Sequence, residues 1–411
     1  MSTHASDITI TPANSRSVLR DLPFAARQTF NFALNLTHGQ LRVQLPDGRI
    51  LRFETGQDGP QAMMVVHDLH FADHFTKGGD IGLAEAFLRG EWDTPDLTEF
   101  LRLFCVNHEM ITQLLADKPI IRWLQLLRHY WLNRNTKAGS KRNIHAHYDL
   151  GNHFYDKWLD RSMTYSSALF KDSDDLFAAQ QRKYATLARD IGISADDHVL
   201  EIGCGWGGFA EYAAKTTGCK LTGLTISQEQ FDFAQKRMFE QGLNEKVTLK
   251  FQDYRDETGV YDHVASIEMF EAVGEEFWPV YFRKVSDCLR QGGRAGLQVI
   301  TIQDRFFETY RKEMDFIRRY IFPGGMLPCP RIMSDMGADN GLQQIASLEF
   351  GDDYARTLSL WRDNFRAVWP ELTNMGFDER FRRMWEYYLA YCEAGFLAGN
   401  IDVRQIVYSK I

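Results

Sequence analysis

The sequence predicts an α/β fold: a doubly wound, mostly parallel sheet with helices on both faces, preceded by a smaller α+β domain. Three observations carry this. His198-Val-Leu-Glu-Ile202 is an apolar run closing on Gly203-x-Gly205-x-x-Gly208, with a helical pattern from Phe209, which reads as strand, tight turn and helix. Lys220-Leu-Thr-Gly-Leu-Thr225, Val247-Thr-Leu-Lys-Phe251 and Tyr261-Asp-His-Val-Ala-Ser-Ile267 follow as further short strands, with helix-length segments between them as in parallel βα units. From residue 23 to about residue 132, short strands and helices alternate, opening on the hairpin pattern Leu41-Arg-Val-Gln-Leu45, Pro46-Asp47-Gly48, Ile50-Leu-Arg-Phe53.

In chain order, residues 1–22 read as a disordered N-terminus, because residues 1–20 are polar and lack the apolar core of a secretory signal. Residues 23–132 make the first domain. Residues 133–143 are polar, basic and glycine-containing, and are expected to link it to the second domain, residues 144–411. Over residues 117–142, seven basic side chains stand against one acid, Asp117, with Ile120, Trp123, Leu127 and Trp131 interleaved. Two readings fit that stretch: an amphipathic helix lying on anionic lipid, or a packed helix with solvated arginines.

A length of 411 residues suits two or three domains and a sizeable core. The formal net charge of −8 argues against a general nucleic-acid binder, which needs a concentrated basic surface. The six cysteines include no C-x-x-C pair, so neither a zinc cluster nor a disulfide framework is indicated and a reducing compartment is the simpler inference. No run approaches the roughly 20 apolar residues of a spanning helix. The expectation is a soluble, cytoplasmic chain that reaches membranes only from their surface.

The glycine turn points to a nucleotide-type ligand. Glycine has no Cβ to block a ligand lying along the backbone, and the following helix start presents free N–H groups. A dinucleotide fold would place an acid at the end of the second strand. Here that strand ends at Thr225 and continues Ile-Ser-Gln-Glu-Gln230, whereas the third ends in Asp253-Tyr254. That arrangement suits S-adenosylmethionine.

Several motifs now stand in order: His147-Tyr-Asp-Leu-Gly-Asn152, Ile202-Gly-Cys-Gly-Trp-Gly-Gly208, Leu224-Thr-Ile-Ser-Gln-Glu-Gln230, Gln252-Asp-Tyr-Arg-Asp256, Met269-Phe-Glu271 and Tyr320-Ile-Phe-Pro-Gly-Gly325. Together they resemble the cyclopropane fatty-acid synthase family, from about residue 143 to the C-terminus and more loosely over residues 79–93. The resemblance implies a Rossmann-like, seven-stranded methyltransferase sheet, a smaller N-terminal lipid-binding domain, and S-adenosylmethionine as cofactor. It also implies methylation of the double bond of an unsaturated phospholipid acyl chain, peripheral membrane association and a homodimer. Cofactor-binding candidates are Tyr165, Ser166, Gly203, Gly205, Thr225, Gln230, Asp253 and Tyr254. Thr225 and Gln230 are expected on the ribose and Asp253 on the adenine amine. Trp206 either stacks on the cofactor or belongs to the core.

The chemistry sets further demands. A double bond is a poor nucleophile, so the methyl donor must be held in line and dry, and the cation that forms can be steadied by aromatic faces. A base must then remove one proton. In the family that base is commonly bicarbonate, and the matching ligands here are Glu271 and Tyr354. Three positions depart from the family pattern: Ser167 replaces a cysteine, Gln298 a histidine, and Glu268 a glycine. A carboxylate at position 268 disfavours bicarbonate by like-charge repulsion in a low-dielectric pocket. Glu268 is then the base itself, or shares a proton with Glu271, and a methylene-branched product is favoured over cyclopropane, with a reductase as a further partner. The competing structural readings are a helix cap for either glutamate, a core tyrosine for Tyr354 and a plain strand residue for Gln298. Residues 303–322 suit either a lid over an acyl tunnel or an amphipathic helix on the sheet. Alternative functions are methylation of a small amine and non-catalytic lipid binding.

Overall fold

A computed structural model describes residues 7–116, 150–171 and 175–411. They fall into two units. Of the described residues, one takes 7–116 with 315–317 and 369–398; the other takes 150–171, 175–314, 318–368 and 399–411. The basic stretch over residues 117–142, the expected linker and His147 to Asp149 lie outside the described residues.

In the first unit, five strands pair in the order β1-β3-β2-β4-β5: β1 (Asp7–Thr9), β2 (His38–Gln44), β3 (Ile50–Glu54), β4 (Gln57–Val66) and β5 (Trp92–Asp93). The expected hairpin is β2–β3, antiparallel from Gln44↔Ile50 to Gln40↔Glu54, with Gly48 at φ +89° in its turn. Two expectations are corrected here. Residues 7–22 are ordered: β1 pairs parallel with β3, a short helix spans Ser15–Val18, and Ile10 and Leu19 are buried. A few apolar residues spaced through a polar segment suffice once a sheet edge receives them. The second correction concerns residues 369–398, expected with the larger domain. The helix Glu379–Leu397 packs on the helix Leu97–Val106, Thr98 donates to Glu393 at 2.8 Å, and Arg383 bonds the Trp92 carbonyl at 2.9 Å and the Asp93 carboxylate at 2.6 Å. Cys392, one of the six cysteines, lies on this helix.

The second unit is a seven-stranded sheet ordered β11-β12-β10-β9-β6-β7-β8, with β6 (His198–Ile202), β7 (Lys220–Thr225), β8 (Val247–Phe251), β9 (Tyr261–Ile267), β10 (Leu289–Ile302), β11 (Leu342–Glu349) and β12 (Ile401–Lys410). Pairings among β6 to β10 are parallel, and β12 runs antiparallel to both β10 and β11. Strand order reverses at β6, whose neighbours β7 and β9 lead away on opposite sides, so a crevice opens at its carboxyl end. Alternation along the strands feeds two cores. Leu200, Ile202, Val264 and Leu297 meet Tyr281 and Phe282 on one face, and Val199, Leu221 and Ala265 meet Leu187 and Ile191 on the other. The latter two belong to the helix Leu176–Ile191, started by the Asp175 carboxylate on the Ala178 N–H and stopped by Gly192 at φ +84°.

Residues 303–322 do not form one helix. A helix spans Asp304–Tyr310 and a π-helical turn spans Ile317–Ile321; from that turn the buried Arg318 guanidinium bonds the Tyr310 and Glu313 carbonyls. Phe306 and Phe307 are buried in the core beneath β10, so this helix rests on the sheet.

Candidate active site

The turn after β6 is built of backbone. Gly203 has φ +82°, and a Cβ there would stand 2.7 Å from Met269 Cγ; a Cβ on Gly208 would stand 2.6 Å from the Tyr184 hydroxyl. Gly205, at φ +52°, is different: a Cβ there would meet nothing within 4 Å, so this stretch of bare backbone borders open space. The Gly203 and Cys204 N–H groups bond the Leu224 carbonyl, which ties the turn to β7. At the end of β7, Thr225 Oγ1 donates to Gln230 Oε1 at 3.1 Å, both side chains buried. Asp253 follows β8 and accepts the Arg255 Nε at 2.8 Å and NH2 at 2.6 Å, an ion pair the sequence pattern did not announce. Tyr254 is buried, its ring 5.4 Å from Tyr281, and burial pushes its hydroxyl up to about 12. Open backbone at Gly205 beside fixed polar groups fits a nucleoside-bearing cofactor.

Trp206 belongs to the core. It is buried, lies 5.1 Å from the Tyr155 ring, and its Nε1 donates to Asn152 Oδ1 at 2.6 Å. Tyr165 sits in an aromatic nest, with ring centroids 5.3 Å from Tyr155, 5.7 Å from Trp158 and 5.3 Å from Trp361, and Trp361 leads on to Tyr354 at 6.2 Å. These rings form one packed aromatic cluster.

The expected catalytic residues converge on one carboxylate. Glu268 directly follows β9 at φ +49°, in the left-handed region that favours glycine. Its Oε1 accepts the Ser167 N–H at 2.8 Å and the Gln298 amide at 2.7 Å, and its Oε2 accepts the Tyr354 hydroxyl at 2.6 Å. Ser167 contributes its backbone; its hydroxyl turns away to the Ala168 carbonyl at 3.0 Å. Gln298, on β10 and fully buried, is set in turn by Gln405 of β12 at 3.1 Å. Glu271 lies in the 3-10 turn Phe270–Ala272, where Oε1 accepts the Ile300 N–H at 2.5 Å and the buried Oε2 has no partner among the described residues. Neither glutamate caps a helix by these contacts.

Both carboxyls are held above the usual carboxylate range. Burial, reinforced by the neighbouring Glu268, pushes Glu271 up to about 8. Burial also raises Glu268, while the Lys183 charge, the Tyr354 hydroxyl, the Gln298 amide and the Ser167 N–H favour its anion. Glu268 is thus ringed by donors, whereas Glu271 keeps one carboxyl oxygen without a partner among the described residues.

Two buried ionisable residues escaped the sequence reading. Lys183, on the helix Leu176–Ile191, is fully buried and donates to the Ser166 hydroxyl oxygen at 2.5 Å. Glu201, on β6, is 3 % exposed; its Oε2 has no partner among the described residues, and burial pushes it up to about 8. A lysine inside the apolar spacing of a helix and an acid inside an apolar strand were the signals that could have flagged them.

Residues 135–406 match the family model described as mycolic acid cyclopropane synthetase. The chain is 37% identical over 384 residues to a tuberculostearic acid methyltransferase of Mycobacterium tuberculosis, covering 90% of this chain and 87% of that protein. It is 35% identical over 340 residues to the cyclopropane-fatty-acyl-phospholipid synthase of Escherichia coli, covering 81% and 84%. Among solved structures, the mycolic acid cyclopropane synthase CmaA1 complexed with SAH and CTAB superimposes with a TM-score of 0.63 at 28% identity, over 66% of this chain and 98% of that one. The chain belongs to the cyclopropane synthase family and is an S-adenosylmethionine-dependent methyltransferase.

Proposed function

We propose that this enzyme methylates the double bond of an unsaturated phospholipid acyl chain and that Glu268 accepts the proton released afterwards, giving a methylene-branched product in preference to a cyclopropane. The cofactor supplies an electrophilic methyl group; Gly203, Gly205, Thr225, Gln230, Asp253 and Tyr254 line its side of the crevice, with Tyr165 and Ser166 opposite. Methylation leaves positive charge on the carbon beside the one that gained the methyl. Loss of a methyl proton with bond closure onto that carbon gives a cyclopropane. When a hydride first shifts from the methyl-bearing carbon, loss of the same proton gives an exocyclic methylene. In both cases the chain must hold the cation dry and take one proton.

The observation that carries this reading is Glu268 itself: a glutamate held in a glycine-type conformation, its carboxylate gripped by Ser167, Gln298 and Tyr354. These donors suit a small anion, and Glu268 brings that anion as part of the chain, which supports a bicarbonate-independent reaction. One relative is named a tuberculostearic acid methyltransferase and another a cyclopropane synthase, so the preference for a methylene rests on Glu268. An acyl substrate also calls for membrane access from the surface, and no helix among the described residues is long and apolar enough to cross a membrane. A homodimer and a reductase acting on the methylene belong to the same proposal.

The test is to incubate the purified enzyme with unsaturated phospholipid vesicles and methyl-labelled S-adenosylmethionine, then characterise the lipid by mass spectrometry and NMR. An exocyclic methylene is expected. A cyclopropane as main product overturns the product assignment, and label recovered only in a small amine overturns the substrate.

A further inference from the structure

Two of the three donors around Glu268, Ser167 and Gln298, belong to a circuit of buried hydrogen bonds closed through the chain itself. Lys183 Nζ donates to Ser166 Oγ at 2.5 Å, and the next residue, Ser167, donates its N–H to Glu268 Oε1 at 2.8 Å. Gln298 Nε2 reaches the same oxygen at 2.7 Å; Gln405 Nε2 bonds Gln298 Oε1 at 3.1 Å and, also at 3.1 Å, the Lys183 carbonyl, which returns the circuit to its start. Gln180, one turn before Lys183, fixes the Ser166 carbonyl at 2.9 Å. Lys183, Ser167, Gln180 and Gln298 are 0% exposed and Gln405 2%. A helix, the 165–168 segment, β10 and β12 are thereby tied to one carboxylate.

The chemistry of the joints gives the circuit a direction. An ammonium has donors only, so Ser166 Oγ must accept from it, and its single hydroxyl proton is left to point elsewhere. An ammonium is also costly to bury without an anion, and the carboxylate that completes the circuit is Glu268.

We infer that Lys183 is a positioning residue that joins the cofactor side of the site to the base: its ammonium fixes the Ser166 hydroxyl as a donor towards the methyl-donor side and supplies the charge that keeps Glu268 a proton acceptor. This rests on the reading of Glu268 as the base. Burial and neighbouring charge pull in opposite directions on this ammonium. Burial lowers Lys183 to about 7, opposed first by Glu268 and then by Asp160 and Glu201, and the Tyr184 ring lies 4.7 Å from its Nζ. Glu268 in turn faces Lys183 and Tyr354, with Glu271 as its acidic neighbour.

The experiment compares full-length wild type, Lys183→Met and Lys183→Arg on unsaturated vesicles, measuring kcat, KM for S-adenosylmethionine and the pH profile from about pH 6 to pH 9. Lys183→Met removes the charge at similar volume. The expected result is a loss of kcat of at least about tenfold and an acid limb moved to higher pH by roughly one unit, because Glu268 has lost the charge that favours its anion; Lys183→Arg should restore part of both. A folded Lys183→Met enzyme with the wild-type acid limb overturns the inference, whatever its stability. If Lys183→Met does not fold, Gln405→Leu opens the circuit away from the ammonium and should move the limb in the same direction by less; an unmoved limb there also overturns it. Wild type that transfers no methyl to lipid defeats the functional reading instead, so the two failures are distinguishable.

Discussion

The glycine turn after β6 and the acidic wall after β9 terminate adjacent strands of one sheet, yet they offer a ligand opposite surfaces. At the turn, glycines leave the backbone bare: Gly205 borders open space and Gly203 has room for no Cβ. At the wall, a side chain stands where the backbone favours none, since Glu268 at φ +49° occupies a conformation that costs a non-glycine residue about 1–3 kcal/mol. Three hydrogen bonds to its carboxylate offset that strain. On the proposed reading, the bare backbone serves the cofactor and the strained carboxylate serves one chemical step.

Substitutions break or sharpen that contrast. The largest effect is expected for Glu268→Gln, which keeps the shape and removes the base; product formation should fall about 10²- to 10⁴-fold with cofactor affinity unchanged, as measured by turnover and calorimetry. Gly203→Ala tests the other half. Its φ of +82° and the 2.7 Å approach to Met269 should weaken cofactor binding by roughly 10- to 100-fold while lowering Tm. Tyr354→Phe removes one of three donors from Glu268 and should lower kcat by about tenfold, the equivalent of about 1–2 kcal/mol, with little change in KM for the cofactor.

The smallest effect is on stability against pH. Glu271 and Glu201 are each raised from 4.5 to about 8, so the folded protein holds protons that the unfolded chain releases near 4.5. Their contribution is therefore complete below about pH 4.5 and is lost as pH rises towards about 8. Glu271→Gln should flatten part of this decline in a thermal-melt series, its Tm gaining on wild type by a few degrees from about pH 5 to pH 8. Parallel curves would show that Glu271 is ionised in the folded state.

Much of the larger unit was legible because periodicity and glycine spacing are local: β6 to β9 and the turn after β6 fall where the apolar runs and Gly203-x-Gly205-x-x-Gly208 put them. The convergence of Ser167, Gln298 and Tyr354 on Glu268 was not legible from local pattern, since three separate segments supply it; only the family pattern, with its displaced glycine, drew attention to those positions. Lys183 was missed because a single lysine in the helix Leu176–Ile191 looks like a solvated residue until the neighbouring segment covers it. The ordered residues 7–22 and the transfer of 369–398 to the first unit depend on long-range packing, to which composition is blind. Asp253 was expected to await an adenine amine, and sequence alone did not reveal that Arg255 two residues on would bind it.

The central claim is that Glu268 takes the place of an external base, and the most direct test is turnover in carbonate-free buffer with and without added bicarbonate. Wild type should run at full rate in the absence of bicarbonate and gain nothing from its addition, while Glu268→Gly should be nearly inactive until bicarbonate is supplied. Wild-type activity that collapses on removing bicarbonate and returns on adding it would contradict the account.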